Sequence, residues 1–72
     1  MDYKKLNEDI LIEVLNEHPN GAKKDECVKE YSKRLGLTQF TALRTYLLTV
    51  HDLRLAGKII IMPDNVIRIS EF

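Results

Sequence analysis

The stretch that decides the fold is residues 58–70, KIIIMPDNVIRIS. Two runs rich in β-branched residues, 58–62 and 66–70, flank the three residues Pro63, Asp64 and Asn65. β-Branched side chains favour strands because they pack well on a pleated surface. Pro63 and Asp64 suit a type I turn, and Asn65 suits the left-handed position of a three-residue loop. The stretch therefore predicts a β-hairpin.

A long helix is predicted immediately before this hairpin, over about residues 38–56. Thr38 is a suitable N-cap residue, and Gly57 ends the helix. At about 100° per residue, one broad face is apolar. That face carries Phe40, Leu43, Tyr46, Leu47, Val50 and Leu53. The opposite face carries Thr41, Thr45, Thr49 and Asp52.

Two further helices are predicted upstream, over about residues 3–18 and 25–35. The first has Asp2 as its N-cap and repeats apolar residues at spacings of three and four. Those residues are Tyr3, Leu6, Ile10, Leu11, Val14 and Leu15. The second is capped by Asp25 and ends at Gly36, and residues 22–24 form a short extended link before it. Its apolar face comprises Cys27, Val28, Tyr31 and Leu35.

Length and composition indicate one ordinary globular domain over residues 1–72. Eleven basic residues balance eleven acidic ones, which weakens any expectation of non-specific nucleic-acid affinity. A single cysteine excludes an intramolecular disulfide and favours a reducing compartment. The absence of a secretory signal or a long apolar run predicts a cytoplasmic protein with no membrane association. The intact Met1 and the lack of linker residues lead us to expect a complete small protein.

The order of elements resembles a known family. A predicted helix, a glycine and a turn occupy residues 25–38, DECVKEYSKRLGLT. They are followed by the segment FTALRTYLLTVHDLRLAGKI and then by the hairpin. This pattern resembles the winged-helix variant of the helix-turn-helix, as in bacterial and archaeal transcription regulators. The resemblance implies an α+β fold of three helices with a C-terminal two-stranded β-hairpin wing. The predicted third helix is about one turn longer than that pattern, and the wing-tip loop has no Lys or Arg.

The resemblance also implies binding of double-stranded DNA by a homodimeric regulator, with the N-terminal half of the third helix in the major groove. Arg, Gln and Thr side chains suit base edges there. The candidates for base contact are Thr38, Gln39, Thr41, Arg44 and Thr45. The candidates for phosphate contact are Lys23, Lys24, Lys58 and Arg68. The alternative reading makes the threonines plain solvated surface and turns Gln39 partly toward the core.

A second hypothesis is a winged-helix adaptor that binds protein. Arg44, Leu48, His51 and Leu55 follow four-three-four spacing away from the predicted apolar face of the third helix. Either the sheet covers Leu48 and Leu55, or they form an exposed stripe with His51 for a dimer or another protein.

No constellation in the sequence indicates an enzyme. Cys27, His18 and His51 lack the spacing of a zinc site, so no metal and no cofactor are expected. Cys27 reads as core, and His18 beside Pro19 as a helix end. No phosphate-binding loop, Ser-His-Asp set or Cys-His pair occurs, which leaves no catalytic residue to name.

Overall fold

The computed structural model describes residues 3–70, so the predicted N-cap residue Asp2 lies outside the described residues. The elements, in chain order, are α1 (Tyr3–Asn16), β1 (Ala22–Lys23), α2 (Lys24–Leu35), α3 (Gln39–Leu55), β2 (Ile59–Met62) and β3 (Val66–Ile69). Pro63–Asn65 form the loop between β2 and β3. The fold is therefore α+β, as predicted, with three helices packed against one antiparallel sheet.

The sheet has three strands in the order β1-β3-β2. The predicted hairpin is present, with Ile59 opposite Ile69 and Met62 opposite Val66. The two-stranded wing was wrong, because the extended link before α2 adds a third strand on β3 through Ala22 opposite Ile67. Two extended residues carry no alternating pattern, which is why the sequence did not predict their pairing. The layout remains compatible with a winged-helix arrangement.

The hairpin loop has the predicted length and a different backbone from the one expected. Asn65 has φ 59°, the left-handed conformation predicted for it. Asp64 also has a positive φ, 66°, so its assignment to a type I turn was wrong. Turns with positive φ match the twist of the flanking strands, and aspartate tolerates that conformation because of its short polar side chain.

The helix termini follow the sequence signals in most places. Gly36 is left-handed after α2, with φ 66°, and the Thr38 hydroxyl accepts a hydrogen bond from the Thr41 N–H at 3.2 Å. The prediction of Asp25 as a cap was wrong, since α2 begins at Lys24 and Asp25 lies within its first turn. A carboxylate there still stabilises the helix because it lies near the positive end of the helix dipole.

The core lies where the three helices meet the inner side of the sheet. α1 buries Leu11, Val14 and Leu15, and α2 buries Cys27, Val28 and Tyr31, which confirms most of their predicted apolar faces. Tyr3 and Leu6, at the start of α1, are exposed. Within residues 3–70, no helix has the length and apolar character needed to cross a membrane.

The buried face of α3 differs from the predicted one. It comprises Ala42, Tyr46, Thr49, Val50 and Leu53, so Phe40 and Leu47 of the predicted apolar face do not belong to it. Thr49, predicted on the outer side, is only 5% exposed. The Thr49 hydroxyl donates to the Thr45 carbonyl at 2.8 Å, and this bond offsets the cost of burying a polar group.

Polar contacts fix the relative positions of the helices. The Tyr31 hydroxyl of α2 lies 3.3 Å from the Asn7 carbonyl of α1 and 3.3 Å from the Thr49 hydroxyl of α3. Arg34 of α2 forms ion pairs with Glu13 of α1, at 3.0 Å, and with Glu17, which follows the end of α1. Of these contacts, the one between Tyr31 and Thr49 ties α3 to α2.

Candidate functional site on the outer side of the third helix

Leu48, His51 and Leu55 lie together on the surface of α3. Leu48 is 65% exposed and Leu55 is 75% exposed, and His51 between them is also exposed. The sheet does not cover them, so the structural explanation offered for these two leucines was wrong. The stripe is a solvent-facing apolar surface.

Two residues of the predicted apolar face, Phe40 and Leu47, extend this surface. Phe40 is 79% exposed and Leu47 is 51% exposed. At about 100° per residue, both lie beside Arg44 and His51, on the side away from Leu48 and Leu55. We call the combined surface the α3 outer face, which spans an arc of about 100°. It consists of Phe40, Arg44, Leu47, Leu48, His51 and Leu55.

The sequence carried a weak signal for this arrangement. Apolar residues occur all around α3, so spacing alone does not select the buried face. Ala42 and Thr49 are the residues that give the correct orientation, because short side chains let neighbouring helices approach closely. Choosing the face with the largest apolar side chains favoured Phe40 and Leu47 instead.

A groove adjoins the outer face where α3 meets the start of α2 and the hairpin. Lys24 lines two depressions there, of about 460 Å³ and about 130 Å³. Gln39 and Phe40 line the larger one, and Leu47 and Ile61 line the smaller. The apolar surface of α3 therefore continues onto the hairpin.

The residues predicted to contact bases do not share one face of α3. Arg44 is on the outer face, whereas Gln39 faces the groove beside Lys24, about 140° away around the helix. Thr41 and Thr45 line a third depression, with Tyr3 and Leu6 of α1. Thr38 is occupied as the N-cap residue, and its hydroxyl also bonds the Thr41 hydroxyl at 3.0 Å.

The residues predicted to contact phosphate are also spread over the molecule. Lys24 is half-buried at the start of α2, and Lys23 is exposed on β1. Lys58 is exposed beyond the end of α3, where its N–H donates to the Leu53 carbonyl at 3.0 Å. Arg68 is half-buried on β3, and its Nε has no hydrogen-bond partner within residues 3–70. One predicted phosphate contact, Lys24, and one predicted base contact, Gln39, line the same depression.

The exposed charges of α3 have one sign. Arg44 and Arg54 are both exposed, and the one acidic residue of the helix, Asp52, is half-buried. Its carboxylate lies 3.8 Å from the Lys4 ammonium of α1. The outer side of α3 is therefore apolar and basic.

Cys27 and His18 lie away from the α3 outer face. Cys27 is fully buried, which confirms its assignment to the core, and burial and the nearby Glu26 raise the pKa of its thiol to about 11. His18 follows the end of α1, where its N–H donates to the Leu15 carbonyl at 3.0 Å. Within residues 3–70, no group of three or more His, Cys, Asp or Glu side chains is placed to hold a metal ion.

No protein-family model matches the chain, and comparison with curated proteins and with solved structures gives no match.

Proposed function

We propose that this chain is a small protein-interaction module with a winged-helix-like fold, and that the α3 outer face is its docking surface. The observation that supports the proposal is the exposure of four large apolar side chains on one arc of one helix. Contiguous apolar patches on small soluble proteins mark sites of association. The proposed function is binding, and it includes no catalytic step.

The energetics favour a protein partner. Complete burial of a fully exposed leucine or phenylalanine side chain contributes roughly 1.5–3 kcal/mol to the free energy of binding. Phe40, Leu48 and Leu55 are each mostly exposed, so covering them supplies several such contributions. That total is large enough to offset part of the translational and rotational cost of association. A DNA groove would not cover them in the same way, because its contacts are mainly polar and charged.

The test is photo-crosslinking in cells of the source organism. A benzophenone amino acid replaces Leu48, and a matched control carries it at Tyr3, which is exposed on α1. We expect adducts with protein from position 48 and none from position 3, with mass spectrometry identifying the adduct. The absence of a protein adduct from position 48, or equal adducts from both positions, contradicts the proposal.

A second candidate function is binding of double-stranded DNA as a transcription regulator. The charges of α3 favour it, since Arg44 and Arg54 are exposed and Asp52 is paired with Lys4. An amide-resolved NMR titration with a generic duplex tests it, at low salt and near physiological salt. Shifts at residues 38–45 and at Lys23 and Lys24 that fade with salt support it. No shifts at low salt contradict it.

Both candidates fit a reducing, cytoplasmic location, which we propose from the single unpaired cysteine, Cys27.

A further inference from the structure

We propose that the partner of the α3 outer face is a second copy of this chain, with the two α3 helices packed antiparallel about a two-fold axis. This inference rests on the proposed function, because it names the protein that occupies the same surface. The observation that carries it is the symmetric spacing of the outer-face residues along α3.

The outer face is symmetric about the point between Leu47 and Leu48. Three positions further out in each direction lie Arg44 and His51, and four positions beyond those lie Phe40 and Leu55. The order of side-chain types is therefore the same from either end: apolar, nitrogen-bearing, apolar, apolar, nitrogen-bearing, apolar. A two-fold interface requires a surface that matches its own reversed copy, and this one does.

Antiparallel packing about that point brings like chemistry together. Phe40 lies level with Leu55 of the second copy, and Leu47 lies level with Leu48 of the second copy. Arg44 lies level with His51 of the second copy. The guanidinium and the imidazole are both flat, so Arg44 can stack on the ring of His51. A parallel pair would instead place Arg44 beside Arg44, and two like charges repel.

The structure leaves this arrangement accessible. α3 has 17 residues, so it is about 25 Å long, and the six outer-face residues span nearly all of it. Asp52, the one carboxylate of α3, is engaged with Lys4 and does not compete for Arg44. A single pair of helices buries less than a standard interface, so we expect dissociation in the range of roughly 1–100 µM.

Sedimentation analysis of purified protein over about 10 µM to 1 mM tests the dimer. We expect the wild-type protein to reach twice the monomer mass and Leu48→Glu to raise the dissociation constant at least ~10-fold. The matched control is Tyr3→Glu, an exposed apolar residue on α1, which should associate like the wild type. Circular dichroism checks that both variants are folded. A wild-type protein that stays monomeric, or a Leu48→Glu variant with the wild-type dissociation constant, overturns the inference.

Single-cysteine cross-linking tests the orientation. In the antiparallel pair the two copies of position 48 lie almost level, whereas the two copies of Thr41 are about 20 Å apart along the axis. A short bifunctional maleimide should therefore link Leu48→Cys to itself and leave Thr41→Cys unlinked. The wild-type protein gives the background, because Cys27 is fully buried. Equal linkage of both variants overturns the antiparallel arrangement.

The two proposals fail in different ways. A protein that is monomeric in sedimentation, with position 48 cross-linked to a different protein in cells, overturns the second-copy inference and leaves the docking function standing. A monomeric protein without any adduct at position 48 overturns both. A dimer weakened by Leu48→Glu, together with an adduct between two copies in cells, supports both.

Discussion

The hydroxyl of Tyr31 links the three helices. It is carried by α2 and contacts the Asn7 carbonyl of α1 and the Thr49 hydroxyl of α3. Tyr31→Phe removes this hydroxyl and keeps the ring, which packs edge-on against Tyr46 with centroids 6.4 Å apart. We expect the free energy of unfolding to fall by about 1 kcal/mol, the usual net contribution of one hydrogen bond. Urea denaturation followed by circular dichroism measures the change.

The matched control is Tyr46→Phe. The Tyr46 hydroxyl is also buried, yet it has no hydrogen-bond partner among residues 3–70. Removing a buried hydroxyl without a partner should leave the stability unchanged or raise it, because no bond is lost and less polar surface is buried. If Tyr46→Phe is as destabilising as Tyr31→Phe, the three-helix contact does not explain the role of Tyr31.

Cys27 makes the stability depend on pH in the alkaline range. Burial, with a smaller contribution from Glu26, raises the pKa of its thiol from 9.0 to about 11 in the folded protein. Between these values the unfolded chain has lost the proton that the folded chain retains. The contribution of this thiol to the free energy of unfolding should therefore be constant below pH 9. It should fall as the pH rises toward 11, by at most about 1.4 kcal/mol per pH unit.

Denaturation curves at pH 8, 9 and 10 test this prediction, with Cys27→Ala as the comparison. The variant should be less stable at every pH because it leaves a cavity, and it should lose less stability between pH 9 and 10. Burial also raises the pKa of both Tyr31 and Tyr46, so some decline above pH 10 should remain in the variant. Parallel curves for the two proteins would show that Cys27 does not cause the decline.

Among the secondary-structure elements, β1 depends on one glycine. Gly21 has φ 105°, and a Cβ atom there would lie 2.5 Å from Cγ1 of Val66 on β3. Gly21→Ala should therefore push β1 away from β3 and destabilise the protein by about 1–3 kcal/mol. Hydrogen exchange at the amides of 22–23 and 66–67 should accelerate along with the loss in stability.

Gly36→Ala is the matched comparison for this element. Gly36 also has a positive φ, 66°, but a Cβ atom there meets no neighbouring atom within 4 Å. Its substitution should be destabilising by about 1 kcal/mol through backbone strain alone, without faster exchange in the sheet. If both variants leave exchange in the sheet unchanged, the close approach of Gly21 to Val66 does not hold β1 in place.

The elements also show how far sequence reasoning reaches. Local signals were sufficient where they act within a few residues, as at the Thr38 cap, at Gly36 and for the length of the hairpin loop. The pairing of β1 and the orientation of α3 depend on contacts between distant residues, and the sequence pattern does not contain them. Phe40 and Leu47 illustrate this, because their spacing suits a core face equally well as an exposed one.

The same limit applied to the candidate site. Leu48, His51 and Leu55 were recognised as a stripe because their spacing isolates them on one side of α3. Whether anything covered them depended on where the sheet packs, which is a property of the folded molecule. The proposed DNA-contact set was drawn from residue types, and types alone do not reveal that Gln39, Arg44 and Thr45 point in different directions.

At the level of the whole molecule, a 72-residue chain has little stability to lose, so leucines inside and outside the core should respond very differently to the same change. Leu53 and Leu48 lie on the same helix, the first fully buried and the second mostly exposed. Leu53→Ala should lower the free energy of unfolding by about 2–4 kcal/mol, because it removes packed methyl groups and leaves a cavity. Leu48→Ala should change it by less than about 0.5 kcal/mol. Urea denaturation in dilute solution, where any dimer is dissociated, compares them. A large loss in Leu48→Ala would place Leu48 in the core and remove the surface on which both proposals depend.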